Sequence, residues 1–185
     1  MKTALQRAVR LTFHPELEWQ AIRSEAPDQG ALLASFVLPM VCIPALSCGL
    51  GLAFHEGFSK TGLEQAAHRG SVTFFGSLLS IFLLAMSLYV LAPLFVAARN
   101  WARAFQVAAY SSAPVLLGGV ILVVPDIAYA MLLPALQSLY LQYVGVHRVM
   151  GVKEGEAAEY VALGIVLLVI ASTLAGAFGA WLGIL

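Results

Sequence analysis

Apolar side chains fill five long stretches of the chain, residues 31–54, 71–98, 104–124, 127–146 and 160–183, and polar side chains gather in the short segments around them. About 20 consecutive apolar residues carry a helix across the hydrocarbon of a bilayer, and every stretch reaches that length. Lipid offers no partner to an open backbone N–H or C=O, so such a chain crosses as helices. The pattern predicts an all-α fold: a polytopic bundle of five transmembrane helices in a single membrane domain over residues 1–185. Pro39 and Pro44 in the first stretch, Pro114 in the third and Pro134 in the fourth each remove a helical hydrogen bond and bend the helix. The second stretch is longer than the hydrocarbon needs, which predicts a tilt or a bend near Pro93.

Residues 1–30 read as short amphipathic helices. Met1, Ala4, Leu5, Ala8 and Leu11 fall on one side, with Lys2, Gln6, Arg7 and Arg10 on the other. A basic amphipathic helix of this kind lies on an anionic membrane surface, or else packs on the rest of the protein. Pro15 suits the first position of a second helix, and Glu16 and Glu18 suit its positive end. Trp19, Ile22 and Ala26 share a face of it. Trp19 is expected at headgroup level, and Arg7, Arg10, Trp19 and Trp101 are the candidate membrane-interface residues. Residues 27–30 read as a loop. Residues 55–70 read as a polar loop holding a short helix over 62–69, with Thr61 and Glu64 as its capping box and Gly70 as its C-terminal cap. Residues 147–159 read as a second polar loop. The first 30 residues lack an uninterrupted apolar core and a cleavage motif, so the first apolar stretch is expected to stay in the membrane.

Composition agrees with the pattern. The chain is 61% hydrophobic and 11% charged, with a mean hydropathy of +0.88. A soluble domain carries roughly 25% charged residues, enough to cover its surface in water. The formal net charge of zero gives no sign of a nucleic-acid partner. Charge does set a direction. With the N-terminus in the cytoplasm, the inner segments hold Lys2, Arg7, Arg10, Arg23, Arg99, Arg103, Arg148 and Lys153, and the outer ones only Lys60 and Arg69. That asymmetry predicts a cytoplasmic N-terminus and an outside C-terminus.

Candidate chemistry is sparse. His55, Glu56 and His68 share one loop and Met40, Cys42 and Cys48 one span, but neither group has the spacing of a full ligand set, so no metal site and no cofactor is assigned. Cys42 and Cys48 point about 240° apart on a helix, which does not favour a disulfide. The serines at 47, 77, 80, 87, 111 and 112 have no basic partner within a span, and no catalytic residue is assigned. The absence of ionisable residues from the spans argues against a coupled pump. Tyr110, Ser111, Pro114, Gln137 and Tyr140 are the candidates to line a groove or cavity formed by broken helices. Gly179 and Gly183 have the small-xxx-small spacing of a helix-packing face.

Three segments carry a family resemblance. They are His14-Pro15-Glu16-Leu17-Glu18-Trp19-Gln20-Ala21-Ile22, then Ala108-Ala109-Tyr110-Ser111-Ser112-Ala113-Pro114, then Tyr140-Leu141-Gln142-Tyr143-Val144-Gly145-Val146. In this order, with five spans, the chain resembles the Yip (Ypt-interacting protein) family in its bacterial branch. The resemblance implies residence in a bacterial cytoplasmic (inner) membrane. Eukaryotic members of that family are adaptors of the early secretory pathway that bind small GTPases and shape membranes. The chain departs from them in lacking a long hydrophilic N-terminal region and a D-L-Y-G-P motif. The expected role is a non-enzymatic integral membrane adaptor or organiser. Its expected partners are the lipid bilayer and further copies of itself or other membrane proteins. The other role weighed is an oligomeric translocator of a small solute, a metal ion or a lipid.

Overall fold

Five helices long and apolar enough to cross a membrane follow two short ones; this computed structural model describes residues 3–95, 97 and 99–181. The short helices are α1 (Ala4–Phe13) and α2 (Pro15–Ser24). The long ones are α3 (Gln29–His55), α4 (Lys60–Phe95), α5 (Trp101–Val123), α6 (Pro125–Met150) and α7 (Glu154–Trp181). No strand occurs among the described residues. Lys2, Gly183 and the last part of the fifth predicted stretch lie outside the described residues.

The helices begin where their side chains cap them. The Thr3 hydroxyl accepts from the Gln6 N–H, and the Gln6 side chain accepts from the Thr3 N–H, a full capping box for α1. Pro15 starts α2 at a position where its missing N–H costs nothing. The Asp28 carboxylate accepts from Ala31 N–H at 3.0 Å, so the expected loop at 27–30 is shorter and α3 starts at Gln29.

Two expected loops are largely helical. The separate helix over 62–69 is not formed. Instead Ser59 caps a continuous helix, its hydroxyl accepting from Gly62 N–H at 3.1 Å, and α4 runs unbroken through Gly70. Likewise α6 continues to Met150 and α7 starts at Glu154, which leaves only residues 151–153 between them. Hydropathy marks where the apolar stretch stops; the backbone hydrogen bonds of a helix continue into the polar zone at no extra cost.

Gly70 is needed for packing rather than for capping. A Cβ on Gly70 would stand 3.1 Å from the Ala45 carbonyl, and one on Gly49 would stand 3.0 Å from the Ala66 carbonyl. Ala45 and Gly49 on α3 therefore face Ala66 and Gly70 on α4, a small-xxx-small pair on each side. Apolar burial does not drive helices together inside lipid, where such backbone approach supplies the van der Waals contact.

The expected breaks take local form. A π-turn over Leu33–Val37 precedes Pro39, and Pro44 continues within the helix. Pro93 lies in a terminal 3-10 turn, Ala92–Phe95. α5 breaks at Ser112 ahead of Pro114 and ends as a 3-10 turn over Gly119–Val123. α6 begins with a kinked 3-10 segment over Pro125–Met131. At the other end of the bundle the buried Tyr160 hydroxyl donates to the Leu88 carbonyl, which ties α7 to α4.

Candidate functional site where the N-terminal helices meet the spans

α1 and α2 pack along the flank of the bundle. Ala8, Leu11, Trp19 and Ile22 are fully buried. The Gln137 amide donates to the Thr12 carbonyl at 3.0 Å, and Thr12 and Phe13 border a groove with Pro114, Leu117 and Pro134. Trp19, expected at headgroup level, is covered by protein. Its ring fills a hollow over α6, where a Cβ on Gly145 would come within 2.8 Å of it. It also meets Tyr110 edge-on at 6.3 Å, and Tyr110 meets Phe36 at 4.7 Å.

Arg7 sits at the centre of this contact, opposite to the outward position its sequence pattern predicts. Its Nε donates to Glu18 Oε1 at 3.2 Å, its Nη1 donates to the Tyr110 hydroxyl at 3.1 Å, and its Nη2 pairs with Glu25. The guanidinium also lies 5.1 Å from the centroid of the Tyr110 ring. Burial alone would weaken its hold on the proton. The hydrogen bond to Glu25 and the coulombic pull of Tyr110, Glu25 and Glu18 outweigh that and raise its pKa above the ordinary arginine value. Arg10 completes the cluster from the exposed side, with Nε 3.4 Å from Glu18 Oε2. Glu18 is thereby shared by two arginines of α1, which suits a buried carboxylate that needs every oxygen partnered. Closer to the start of α5, Arg103 donates to the buried Gln106 side chain at 3.1 Å and to the Ile22 carbonyl at 3.4 Å. Trp101 is half-buried between Tyr89 and Phe105.

The three segments that carried the family resemblance meet here: Glu18 and Trp19 from the first, Tyr110 from the second and Gly145 from the third. Residues 9–176 match the Yip1 domain. The chain belongs to the Yip1 family. No curated protein and no solved structure matches it. It is an integral membrane protein of the Yip type, and in this Yip1 domain the N-terminal helices are an integral layer of the bundle.

The five residues expected to share one groove are spread over separate places in the Yip1 domain. Tyr110 belongs to the Arg7 cluster. Ser111 is buried and donates to the Ala108 carbonyl at 3.2 Å, on the wall of a different cavity. Pro114 and Gln137 border the groove beside Phe13. Tyr140 is exposed on the outer face of α6. Gly179 borders a cleft between α4 and α7. Arg7, Glu18 and Glu25 were not legible as a site: they sit on α1, on α2 and just past the end of α2, and only the fold shows that both carboxylates and Tyr110 converge on Arg7.

Proposed function

We propose that this Yip1-family protein is a non-enzymatic adaptor that organises membrane proteins around it in a bacterial cytoplasmic membrane, with its N-terminus in the cytoplasm. One observation carries the reading. Arg7 to Tyr110 and Gln137 to the Thr12 carbonyl fix α1 to the spans, and Arg7 to Glu18 ties α2 to α1, while a row of large apolar side chains on the same helices faces away from the protein. Leu5, Val9 and Phe13 recur every fourth residue along one face of α1, and Leu17 follows on α2. Phe13 and Leu17 are 72% and 66% exposed. A rigid mount with an apolar outer row is the form of a contact surface, since little ordering entropy is lost when a partner binds it.

Extraction in a mild detergent followed by affinity purification tests the proposal. The native chain is expected to retain a stable membrane-protein partner or a further copy of itself. The paired change Phe13→Ser and Leu17→Ser is expected to release it without loss of the folded chain. Recovery of a lone monomer from native membranes, or a partner indifferent to the paired change, overturns it.

A further inference from the structure

The turn between α1 and α2 lies beside the middle of two spans. The Thr12 carbonyl accepts from Gln137, which is residue 13 of the 26 in α6. Phe13 borders one groove with Pro114, which is residue 14 of the 23 in α5. The far end of α2 lies at the start of α5, where Arg103 donates to the Ile22 carbonyl. α1 follows the same slope: Arg7 meets Tyr110, and Phe13 reaches the groove that Leu117 lines. The pairing of Arg7 with both Glu18 and Glu25 sets α1 and α2 antiparallel. About 13 residues of helix separate either span's middle from its end, a rise of about 20 Å, in a hydrocarbon layer about 30 Å thick. A hairpin lying flat on the membrane surface does not touch those positions.

We propose that α1 and α2 form a re-entrant hairpin that enters one leaflet, the cytoplasmic one in the direction given above, and sets its apolar row against acyl chains. Three features support that placement. The apolar surface grows towards the turn: Phe13 and Leu17 are 72% and 66% exposed, Leu5 and Val9 53% and 41%. Backbone groups at this depth need partners within the protein, because lipid offers none. At the turn the His14 N–H donates to the Arg10 carbonyl at 2.7 Å, Pro15 has no N–H, and Gln137 serves the Thr12 carbonyl. Charge, finally, is kept off the apolar row. Arg7 and Arg10 pair with Glu18, as ionised groups inside a membrane pair with one another. The exposed Glu16, Gln20 and Arg23 recur at i, i+4 and i+7 along α2, a polar flank by which water descends from the inner surface. The hairpin thus has an acyl-facing side on α1 and Leu17 and a wet side on α2. The adaptor reading then has its partner meet the row inside the membrane; depth is measured on the isolated chain, so it stands or falls apart from copurification.

The test uses the full chain in phosphatidylcholine nanodiscs, with Cys42 and Cys48 changed to Ala and single cysteines at exposed positions carrying a fluorophore. The lipid bears a nitroxide quencher either on its headgroup or at the middle of an acyl chain. Val169→Cys, at residue 16 of the 28 in α7, and Glu154→Cys, at its start, set the scale of depth. Phe13→Cys is expected to follow Val169→Cys, losing more fluorescence to the acyl quencher than to the headgroup one. Leu5→Cys, about 12 Å back along α1, is expected to lie shallower than Phe13→Cys. Without fluorophores, a water-soluble thiol reagent should modify Glu16→Cys and spare its neighbour Leu17→Cys. A headgroup pattern at Phe13→Cys, or equal depth at Leu5→Cys and Phe13→Cys, lays the hairpin flat on the surface and overturns the proposal. Equal reaction of Leu17→Cys and Glu16→Cys removes lipid from the row and overturns it too.

Discussion

Trp19 and Gly145 are fitted to each other: the indole ring of α2 rests where any side chain at position 145 of α6 would begin, 2.8 Å from an added Cβ. The contact joins an N-terminal helix to the fourth span, and it holds Trp19 fully buried. Gly145→Leu must therefore push the ring out or move α2 as a whole, at a cost of about 1–3 kcal/mol. In a chain where Trp101 and Trp181 are changed to Phe, Trp19 is the single tryptophan reporter. Its fluorescence is expected to shift in position and gain access to a quencher in Gly145→Leu. An unchanged spectrum and unchanged quenching would show that the ring does not rest on Gly145.

The Arg7 cluster makes a graded prediction. Tyr110→Phe removes one hydrogen bond to a charged donor and leaves Glu18 and Glu25 paired with Arg7. Arg7→Met removes all three and leaves the buried Glu18 with Arg10 alone among its arginine partners. The first change should cost about 1.5–3 kcal/mol and the second at least as much, since breaking a buried pair costs roughly 3–5 kcal/mol before allowance for the partial exposure of Arg7. Hydrogen exchange over residues 4–24 is the readout. Arg7→Met is expected to free α1 and α2 to exchange more than Tyr110→Phe does, with the spans unaffected. Equal exchange in both variants would remove the cluster from its role as the clamp.

Much of the architecture was written in one-dimensional form. Hydropathy reports the solvent along the chain, and lipid imposes helices on an apolar run of given length, so the five spans follow from pattern alone. What escaped depends on contacts between distant positions. Gly70 carries the composition signal of a cap, yet it serves the approach of α4 to α3. Arg7 falls on the polar side of α1 whether that side meets water or Tyr110, so helical periodicity could not place it. Trp19 suits a headgroup by type, and only Gly145, more than 100 residues later, makes a buried place for it. For the same reason the five groove candidates scattered: a polar residue in an apolar run shows that it has a partner, but not which one.

The α3–α4 contact predicts a position-specific intolerance to size. Gly49→Leu and Gly70→Leu each drive a side chain at a backbone carbonyl 3.0–3.1 Å away, which cannot yield as a flexible side chain does. Each is expected to lower the melting temperature of the detergent-solubilised chain, with a loss of about 1–3 kcal/mol. Gly176→Leu on α7 is the control, because an added Cβ meets nothing within 4 Å there. A melting temperature unchanged in all three would show that α3 and α4 do not pack through these glycines.

The proposed direction of the chain gives the last prediction. Basic side chains resist transfer across the membrane, so the side with more of them in short segments stays in the cytoplasm. Here Arg99 and Arg103 lie at the start of α5, and Arg148 and Lys153 at the end of α6 and just after it, whereas Lys60 and Arg69 lie in the first turns of α4. With Cys42 and Cys48 changed to Ala, single cysteines at exposed Thr61, Gln20 and Glu154 report each side in turn. A membrane-impermeant thiol reagent applied to intact cells is expected to label Thr61→Cys at once. It should reach Gln20→Cys and Glu154→Cys only after the membrane is opened. Prompt labelling at Gln20→Cys in intact cells would reverse the chain, and would place α1 and α2 on the outer side of the membrane.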